Sequence, residues 1–548
     1  MVDVSHTIVT VPMETPNATK DVERFAFTER GPWVVDPDGM QWRRGIDELR
    51  ARTRREGADL ARPPTLPPAV RMLRTGVELG QAVALWQLLD RRKGDSESRA
   101  GISRRLRKAF ERLGPTYIKL GQIVSAGEGI FPAELVEEFR LCRDEVPPEP
   151  WETVRTVVEQ DLGGPLETVF SEFVTKPIAA ASIAQVHAAR LRTGEDVVVK
   201  VQRAAVAESV RLDLKAMAWV SPKLVGRIPV AALANPPAIV ELFADTIVEE
   251  LDFRLEAQNM LDIAQVLAET GQRSLVVPRP HPELVTRRVL VMERLHGHNF
   301  DDVEALKAAG VDMKAVIRAG MITTLEGSML YGIFHGDLHA GNLFVDDDGR
   351  VALLDFGITG RLDEQRRLAF IRLLMGGVTN DIKGQLAAIR DLGALPRDTD
   401  LDAMIKDLGL DRPPVDPTKM SAEQLIGEIR EIVKKLVEYG ARLPKELMLF
   451  VKNLLFLDGA IAMHAPDLDL IAETFQVATY FATKHGERLA AETGTPGDVE
   501  INLDGFKASF GLDSDVESLT YADLQERRKI IRERFEAHRG GRRRRGRS

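Results

Sequence analysis

His335-Gly336-Asp337-Leu338-His339-Ala340-Gly341-Asn342 is the stretch on which the fold of this chain turns. An aspartate followed five residues later by an asparagine is the pattern of a phosphotransferase catalytic loop. There the aspartate accepts a proton from the attacking group or orients it, and the asparagine gives an oxygen to a divalent metal. Thirteen residues after Asn342 stands Asp355-Phe356-Gly357, preceded by the apolar run Val351–Leu354. A carboxylate at a strand end, followed by glycine, suits a metal held over phosphates. Oxygen ligands suit Mg²⁺, which keeps waters and phosphate oxygens in its shell. An Asp-Phe-Gly triplet alone is commonplace, and a polar turn before a hairpin would explain the first stretch. The two at this spacing, with Asp346-Asp347-Asp348-Gly349 reading as a hairpin turn between them, point to phosphate chemistry.

Upstream, Val197-Val198-Val199-Lys200-Val201 is a β-branched run that ends on a lysine able to pair with the α- and β-phosphates of ATP. That lysine needs a carboxylate. Glu249 to Ala268 reads as helix and offers Glu250, Asp252 and Glu256. Positions six apart on a helix point about 120° apart, so Glu250 and Glu256 cannot share one role, whereas Asp252 and Glu256 share a face. A solvated helix with Glu250 paired to Arg254 is the plain alternative. Ala179-Ala180-Ala181-Ser182 precedes the lysine strand where a glycine-rich phosphate loop is expected. Small side chains admit a phosphate, but alanine resists the positive φ of glycine, so this loop is expected to be stiff. Val289 to Met292 reads as a strand leading into a hinge at Met292, Glu293 and Leu295, where adenine meets backbone.

The whole chain bounds the reading. With 548 residues, 44% hydrophobic and 29% charged, it is too long for a single core. A net charge of −9 argues against a nucleic-acid coat, and none is expected as partner. One cysteine, Cys142, allows no internal disulfide. The first thirty residues carry Asp3, Glu14, Asp21 and Glu23 and do not read as a secretory signal. The best uncharged stretch, Ile228–Val240, is shorter than the roughly 18 residues of a membrane span and holds Pro236 and Pro237. The reading is a cytoplasmic chain, with peripheral membrane contact left open.

Together these features resemble the UbiB-like (AarF-type) atypical kinase family, from about Leu113 to Asp467. The most distinctive mark is Leu113-Gly114-Pro115-Thr116-Tyr117-Ile118-Lys119-Leu120-Gly121-Gln122, which is similar to the family's Lys-x-Gly-Gln motif. The alanine loop is similar to the family's substitute for the glycine-rich loop, and Glu250-Leu251-Asp252 to its Glu-x-Asp motif. The resemblance implies that Lys200 pairs with Glu256. It also implies that Lys119 lies over the active site and pairs with Glu250, with Asp337, Asn342 and Asp355 serving phosphate and metal. It further implies an extension that blocks peptide access, and hence an ATPase or a kinase of a small-molecule or lipid-like acceptor, linked to quinone and lipid metabolism. Two departures stand out. Ser125-Ala126-Gly127-Glu128-Gly129 lacks the Arg and Asp expected after Lys-x-Gly-Gln, and the chain ends in six arginines between Arg539 and Ser548.

The expected architecture is α+β: a two-lobed protein-kinase-like fold with an N-terminal helical extension. Residues 1–66 are expected to be an irregular tail with one short helix near Asp47 to Arg55, 67–148 to form the extension, 149–298 the N-lobe and 299–490 the C-lobe. Residues 491–548 form a C-terminal segment with a disordered basic tail. ATP and Mg are the expected cofactors. A small-molecule phosphotransferase fits the catalytic loop equally well, but Lys119-x-Gly-Gln and the alanine loop oppose it. A nucleotide-switched scaffold is the non-enzymatic alternative. Gly336 replaces the usual arginine before the aspartate, which argues against a conventional phospho-regulated protein kinase.

Overall fold

The computed structural model describes residues 18–494, apart from 30, 66–68, 93–94, 126–131, 143–146, 225–235, 347, 380 and much of 412–443, and also 507, 516–531 and 533. The arginine-rich end and the stretch Gly127–Gly129 lie outside the described residues, as do all of 1–17 and the Ile228–Asn235 part of the uncharged stretch.

Helices α1 (Ala18–Phe25), α2 (Ile46–Leu60), α3 (Ala69–Leu89), α4 (Asp95–Leu113), α5 (Pro115–Ser125) and α6 (Ala133–Phe139) come first. Next are α7 (Trp151–Leu162), α8 (Leu166–Val169) and four strands: β1 (Phe170–Phe173), β2 (Ala179–Ala180), β3 (Ala184–Leu191) and β4 (Asp196–Gln202). Then come α9 (Val206–Leu224), α10 (Pro236–Ile247) and α11 (Phe253–Thr270), followed by β5 (Leu275–Val276), β6 (Pro280–Val285), β7 (Val289–Glu293) and β8 (His298–Asn299). The principal sheet runs β1-β3-β4-β7-β6, all antiparallel, with β2 on β3. Alternation along β4 sends Val197, Val199 and Val201 into one apolar cluster, where β7 adds Val289 and Val291. Lys200 is on the opposite face, towards α11.

The second lobe is helical. α12 (Val303–Ala308) and α13 (Met313–Glu326) precede β9 (Ile333–His335), β10 (Leu343–Val345), β11 (Val351–Leu353) and β12 (Thr359–Arg361). α14 (Glu364–Thr379), α15 (Ile382–Asp391), α16 (Leu401–Leu408), α17 (Lys445–His464) and α18 (Leu470–Thr493) follow. β10 and β11 form the expected hairpin, Leu343 opposite Leu353 and Val345 opposite Val351. Gly349, at φ +78°, turns it in a conformation that a side chain disfavours.

Two expectations need correction. The segment up to residue 66 holds the helix expected near Asp47–Arg55, as α2, but the rest of it is not a loose tail where it is described. Val22, Ala26, Phe27, Val35, Met40 and Trp42 enter the same core as α11 and the β10–β11 hairpin. Irregular spacing hid them, because they come mainly from turns rather than from one helical face. The segment is tied down by Arg279, 2% exposed, whose guanidinium donates to Glu23 at 2.8 Å, Glu293 at 3.1 Å and the carbonyl of Thr28 at 2.7 Å. The second correction concerns Glu249–Ala268, which is not one helix. Glu249–Leu251 is a 3₁₀ turn, and Asp252 caps α11 by accepting from the Arg254 amide. Arg254 therefore pairs with Asp252 at 2.7 Å instead of Glu250.

Candidate active site

The site lies between the principal sheet, α11 and the loops around β9–β11. Lys200 reaches across from β4 and donates to Glu256 on α11 at 2.6 Å and to Asp355, just past β11, at 3.3 Å. Three distant segments therefore meet at one ammonium group. Phe253, at the start of α11, lies under it, with Lys200 Nζ 5.5 Å from the ring centre. Glu256 is 4% exposed while the Asp355 side chain is 41% exposed, so the second carboxylate opens to the cleft. Burial drives the Glu256 carboxyl up to about 7, against the pull of Lys200. Burial also opposes the charge of Asp355, but Lys200 and Lys119 outweigh it and hold that carboxyl far below its usual range.

Helix α5 brings Lys119 to the same centre, 3.2 Å from Glu250. Gly121 makes this approach possible. A Cβ there would lie 2.7 Å from Phe139 Cδ1 and 3.1 Å from Cys142 Sγ, so α5 could not pack against α6 as it does. Gly357 acts similarly at the other end: a Cβ would stand 3.2 Å from Asp355 Oδ1 and 3.4 Å from Glu250 Cγ. Its amide donates to Asp355 Oδ1 at 2.9 Å and fixes that carboxylate.

The loop around Asp337 is held by His335. Its Nε2 bonds to the Asp355 carbonyl at 2.6 Å and its Nδ1 accepts from the Asp337 amide at 3.2 Å, which sets one neutral tautomer. Burial lowers the affinity of His335 for a second proton. Gly336 has no room for a side chain, with Ile358 Cγ2 2.8 Å and Ile358 O 3.1 Å from any Cβ, which explains why no arginine precedes Asp337.

Sequence reasoning missed Lys452 and Asn453. Both sit on α17, Lys452 forming a salt bridge with Asp337 and Asn453 donating to the His335 carbonyl and accepting from the Leu338 amide at 3.4 Å. Burial raises the Asp337 carboxyl, but Lys452 and Lys119 overcome that and leave it below its usual range. Among the described residues α17 is also the one helix apolar and long enough to cross a bilayer. A third of that apolar window is buried, Met448, Leu449, Phe450 and Leu457 among it, while Leu454, Leu455 and Met463 are exposed. No local signal marks these two residues, since 115 positions separate Lys452 from Asp337.

Asn342 ends a 3₁₀ turn, and its carbonyl accepts from the Leu354 amide at 3.0 Å, which ties it to the strand leading into Asp355. Asn342 and Asp355 are the two oxygen donors expected for a metal. Among the described residues no group of three or more His, Cys, Asp and Glu could hold one alone. A hard cation here needs further oxygens from phosphate and water, as Mg²⁺ commonly takes.

Ala179 and Ala180 form β2, opposite Val186 and Gln185, and the Ala181 amide donates to the Ala184 carbonyl at 2.8 Å. The alanine loop is thus a closed hairpin, with Ser182 buried beneath it. Arg203 pins it, donating to the carbonyls of Ala181 and Pro147 at 3.0 Å each. At the hinge Met292 is buried and pairs with Val198, and Leu295 lies just past the end of β7, half-buried. The Glu293 amide is committed to the Arg279 carbonyl at 2.9 Å and its carboxylate to the Arg279 guanidinium. The structure thus brings together Lys119, Lys200, Glu250, Glu256, Asp337 and Asp355.

Residues 141–388 match the ABC1 atypical kinase-like domain. The uncharacterized protein Rv0647c of Mycobacterium tuberculosis is 34% identical over 442 residues, covering 79% of this chain and 89% of that protein. An uncharacterized chloroplastic aarF domain-containing protein kinase of Arabidopsis thaliana is 35% identical over 399 residues, 67% of this chain and 73% of its own length. A probable protein kinase UbiB of Vibrio parahaemolyticus is 31% identical over 374 residues, 67% and 68% respectively.

Proposed function

The chain belongs to the ABC1 atypical kinase-like (UbiB- and aarF-type) family, and on that premise we propose that it binds ATP with Mg²⁺ and either hydrolyses it or passes phosphate to a non-protein acceptor. The observation that carries this is Lys200 Nζ standing between Glu256 and Asp355 at 2.6 and 3.3 Å. Lys200 is placed to hold phosphate oxygens, with Glu256 aiming it. Asn342 and Asp355 would hold the metal, which when bound neutralises phosphate charge. Asp337, kept ionised by Lys452 and Lys119, orients the attacking group; a carboxylate held this firmly in its charged form is a weak proton acceptor. The alanine hairpin covers the phosphates, and backbone between Met292 and Leu295 receives the base.

Lys119 of α5 pairs with Glu250 within reach of the charges of Asp337 and Asp355, which favours water or a small acceptor over a peptide. The acceptor class we favour is lipid-like, in support of quinone or lipid metabolism, with the protein cytoplasmic and meeting a membrane at its surface. Helix α3 supports the surface contact. Val70, Leu73 and Leu88 are 87, 70 and 79% exposed on its outer side, beside exposed Arg74 and, just past its end, Arg91 and Arg92. Its single acid, Glu78, is paired with Arg112 at 2.6 Å. That is the pattern of an interfacial helix.

Calorimetric titration with ATP tests the binding step. Saturable binding that strengthens with Mg²⁺, and weakens about tenfold or more in Lys200→Ala, is the expected result. No binding under either condition would contradict the proposal.

A further inference from the structure

The metal aspartate is held from behind by a cluster that reaches into the N-terminal segment. Phe356, between Asp355 and Gly357, has both backbone polar groups bonded to α11. Its amide donates to Glu256 Oε1 at 3.4 Å, and its carbonyl accepts from Asn259 Nδ2 at 2.9 Å. Asn259 is one turn beyond Glu256 and buried. With its Nδ2 so used, its Oδ1 faces the other way and accepts from two guanidinium groups. One is Arg361 of β12, at 2.8 Å, five residues past Phe356; the other is Arg50 of α2, at 3.1 Å. The same two arginines share the Asp262 carboxylate, Arg50 at 3.6 Å.

Two cations on one carboxylate and one amide oxygen repel each other, so neither would crowd there unless held by its own element. Arg361 is held by β12 pairing with β9. Arg50 is held because Ile46 and Leu49 of α2 pack on Leu255 of α11. Arg54 adds a contact 3.7 Å from Glu249, and Arg43, just before α2, donates to Gln258 at 2.8 Å. Gln258 in turn donates to Asp262 at 2.6 Å.

We propose that α2 is an in-chain brace for the metal-binding loop and that Arg50 is a positioning residue for Asp355, acting through Asn259 and the Phe356 carbonyl. Without Arg50, the Asn259 Oδ1 keeps Arg361 as its one donor, its hold on the Phe356 carbonyl is less firm, and the loop that aims Asp355 loosens. The consequence falls on the metal-dependent part of nucleotide binding, since Lys200 and the hinge are untouched. Any partner that lifts α2 would act on the site in the same way.

This proposal rests on the ATP and Mg²⁺ reading above, and the test separates the two. Nucleotide affinity is measured by calorimetry across a Mg²⁺ series and in EDTA, for wild type, Arg50→Ala, Arg50→Lys and Glu56→Ala. Glu56 is the control: it ties the same helix to α9 through Arg211 at 2.5 Å and does not touch the cluster. Arg50→Ala should raise the Mg²⁺ concentration for half-maximal effect by about three- to tenfold, with affinity in EDTA unchanged. Arg50→Lys, which keeps the charge near Asp262 but loses the fork, should recover part of the shift and is read alone if the alanine variant does not fold. Glu56→Ala should not shift it. No shift in either Arg50 variant, or an equal shift in Glu56→Ala, overturns the brace while leaving the site reading intact. No Mg²⁺ effect in wild type overturns the site reading, and the brace with it.

Discussion

At the scale of single residues, the site balances three lysines (Lys119, Lys200, Lys452) against four carboxylates (Glu250, Glu256, Asp337, Asp355). Each lysine has a distinct carboxylate, and the carboxylate left over is Asp355, the residue proposed to hold Mg²⁺. Lys452 is the neutralising partner of Asp337, so Lys452→Ala should cut turnover by about 10²-fold while ATP affinity changes little. Turnover at wild-type level would remove Lys452 from the account. Gly336 offers a second check. A Cβ would stand 2.8 Å from Ile358 Cγ2 and 3.1 Å from Leu449 Cδ1, so Gly336→Ala should cost about 1–3 kcal/mol of stability by overpacking. Thermal unfolding measures it, and an unchanged midpoint would contradict the close approach. The residues legible in the sequence were those whose spacing is local, such as Asp337 with Asn342. Lys452, Asn453, Asn259 and Arg50 were not, since each meets its partner from an unremarkable helical position far along the chain.

At the scale of elements, β3 carries a buried titratable group outside the site. His187 is wholly enclosed, with Nδ1 at 2.8 Å from the Val174 carbonyl and Nε2 at 2.8 Å from Gln185. Burial lowers its proton affinity below the ordinary 6.5, against the Val174 carbonyl, which favours the protonated ring. Below that pH the unfolded chain takes up a proton that the folded chain declines, so stability falls as pH drops through that range and is level above it. The slope from this one group is at most about 1.4 kcal/mol per pH unit. Comparing wild type with His187→Gln by denaturant unfolding between pH 5 and 8 isolates it: the variant should be less stable overall but lose this slope. An identical slope in both would contradict the assignment. The break at Asp252 shows what periodicity alone misses. A continuous helical pattern from Glu249 conceals a cap, which puts Glu250 in the 3₁₀ turn before α11 and Glu256 within the helix.

At the scale of the whole molecule, the described part of the segment before α3 belongs to the kinase-like core, joined to the end of β7 through Arg279 and to the Asp355–Gly357 loop through Arg50 and Asn259. Among the described helices α3 carries the most exposed large apolar side chains: Val70, Leu73, Val77, Leu85, Leu88 and Leu89. If it meets an anionic bilayer, Leu73→Glu with Leu88→Glu should reduce co-flotation with anionic vesicles severalfold without altering ATP affinity. Equal flotation, or none by wild type, would remove the membrane from the proposal. The two-lobed fold was legible because its motifs mark the strand ends and turns of both lobes. Beyond the helix near Asp47–Arg55, the packing role of residues 22–42 was not, because buried side chains drawn mainly from turns carry no period.

The most direct test of the central claim is release of phosphate from ATP by purified protein with Mg²⁺, beside Asp355→Asn. The account predicts measurable turnover in wild type and its loss in Asp355→Asn, with the variant still folded. Turnover that survives Asp355→Asn, or tight MgATP binding with no turnover, would contradict an enzymatic site built on Asp355 and favour a nucleotide-switched scaffold.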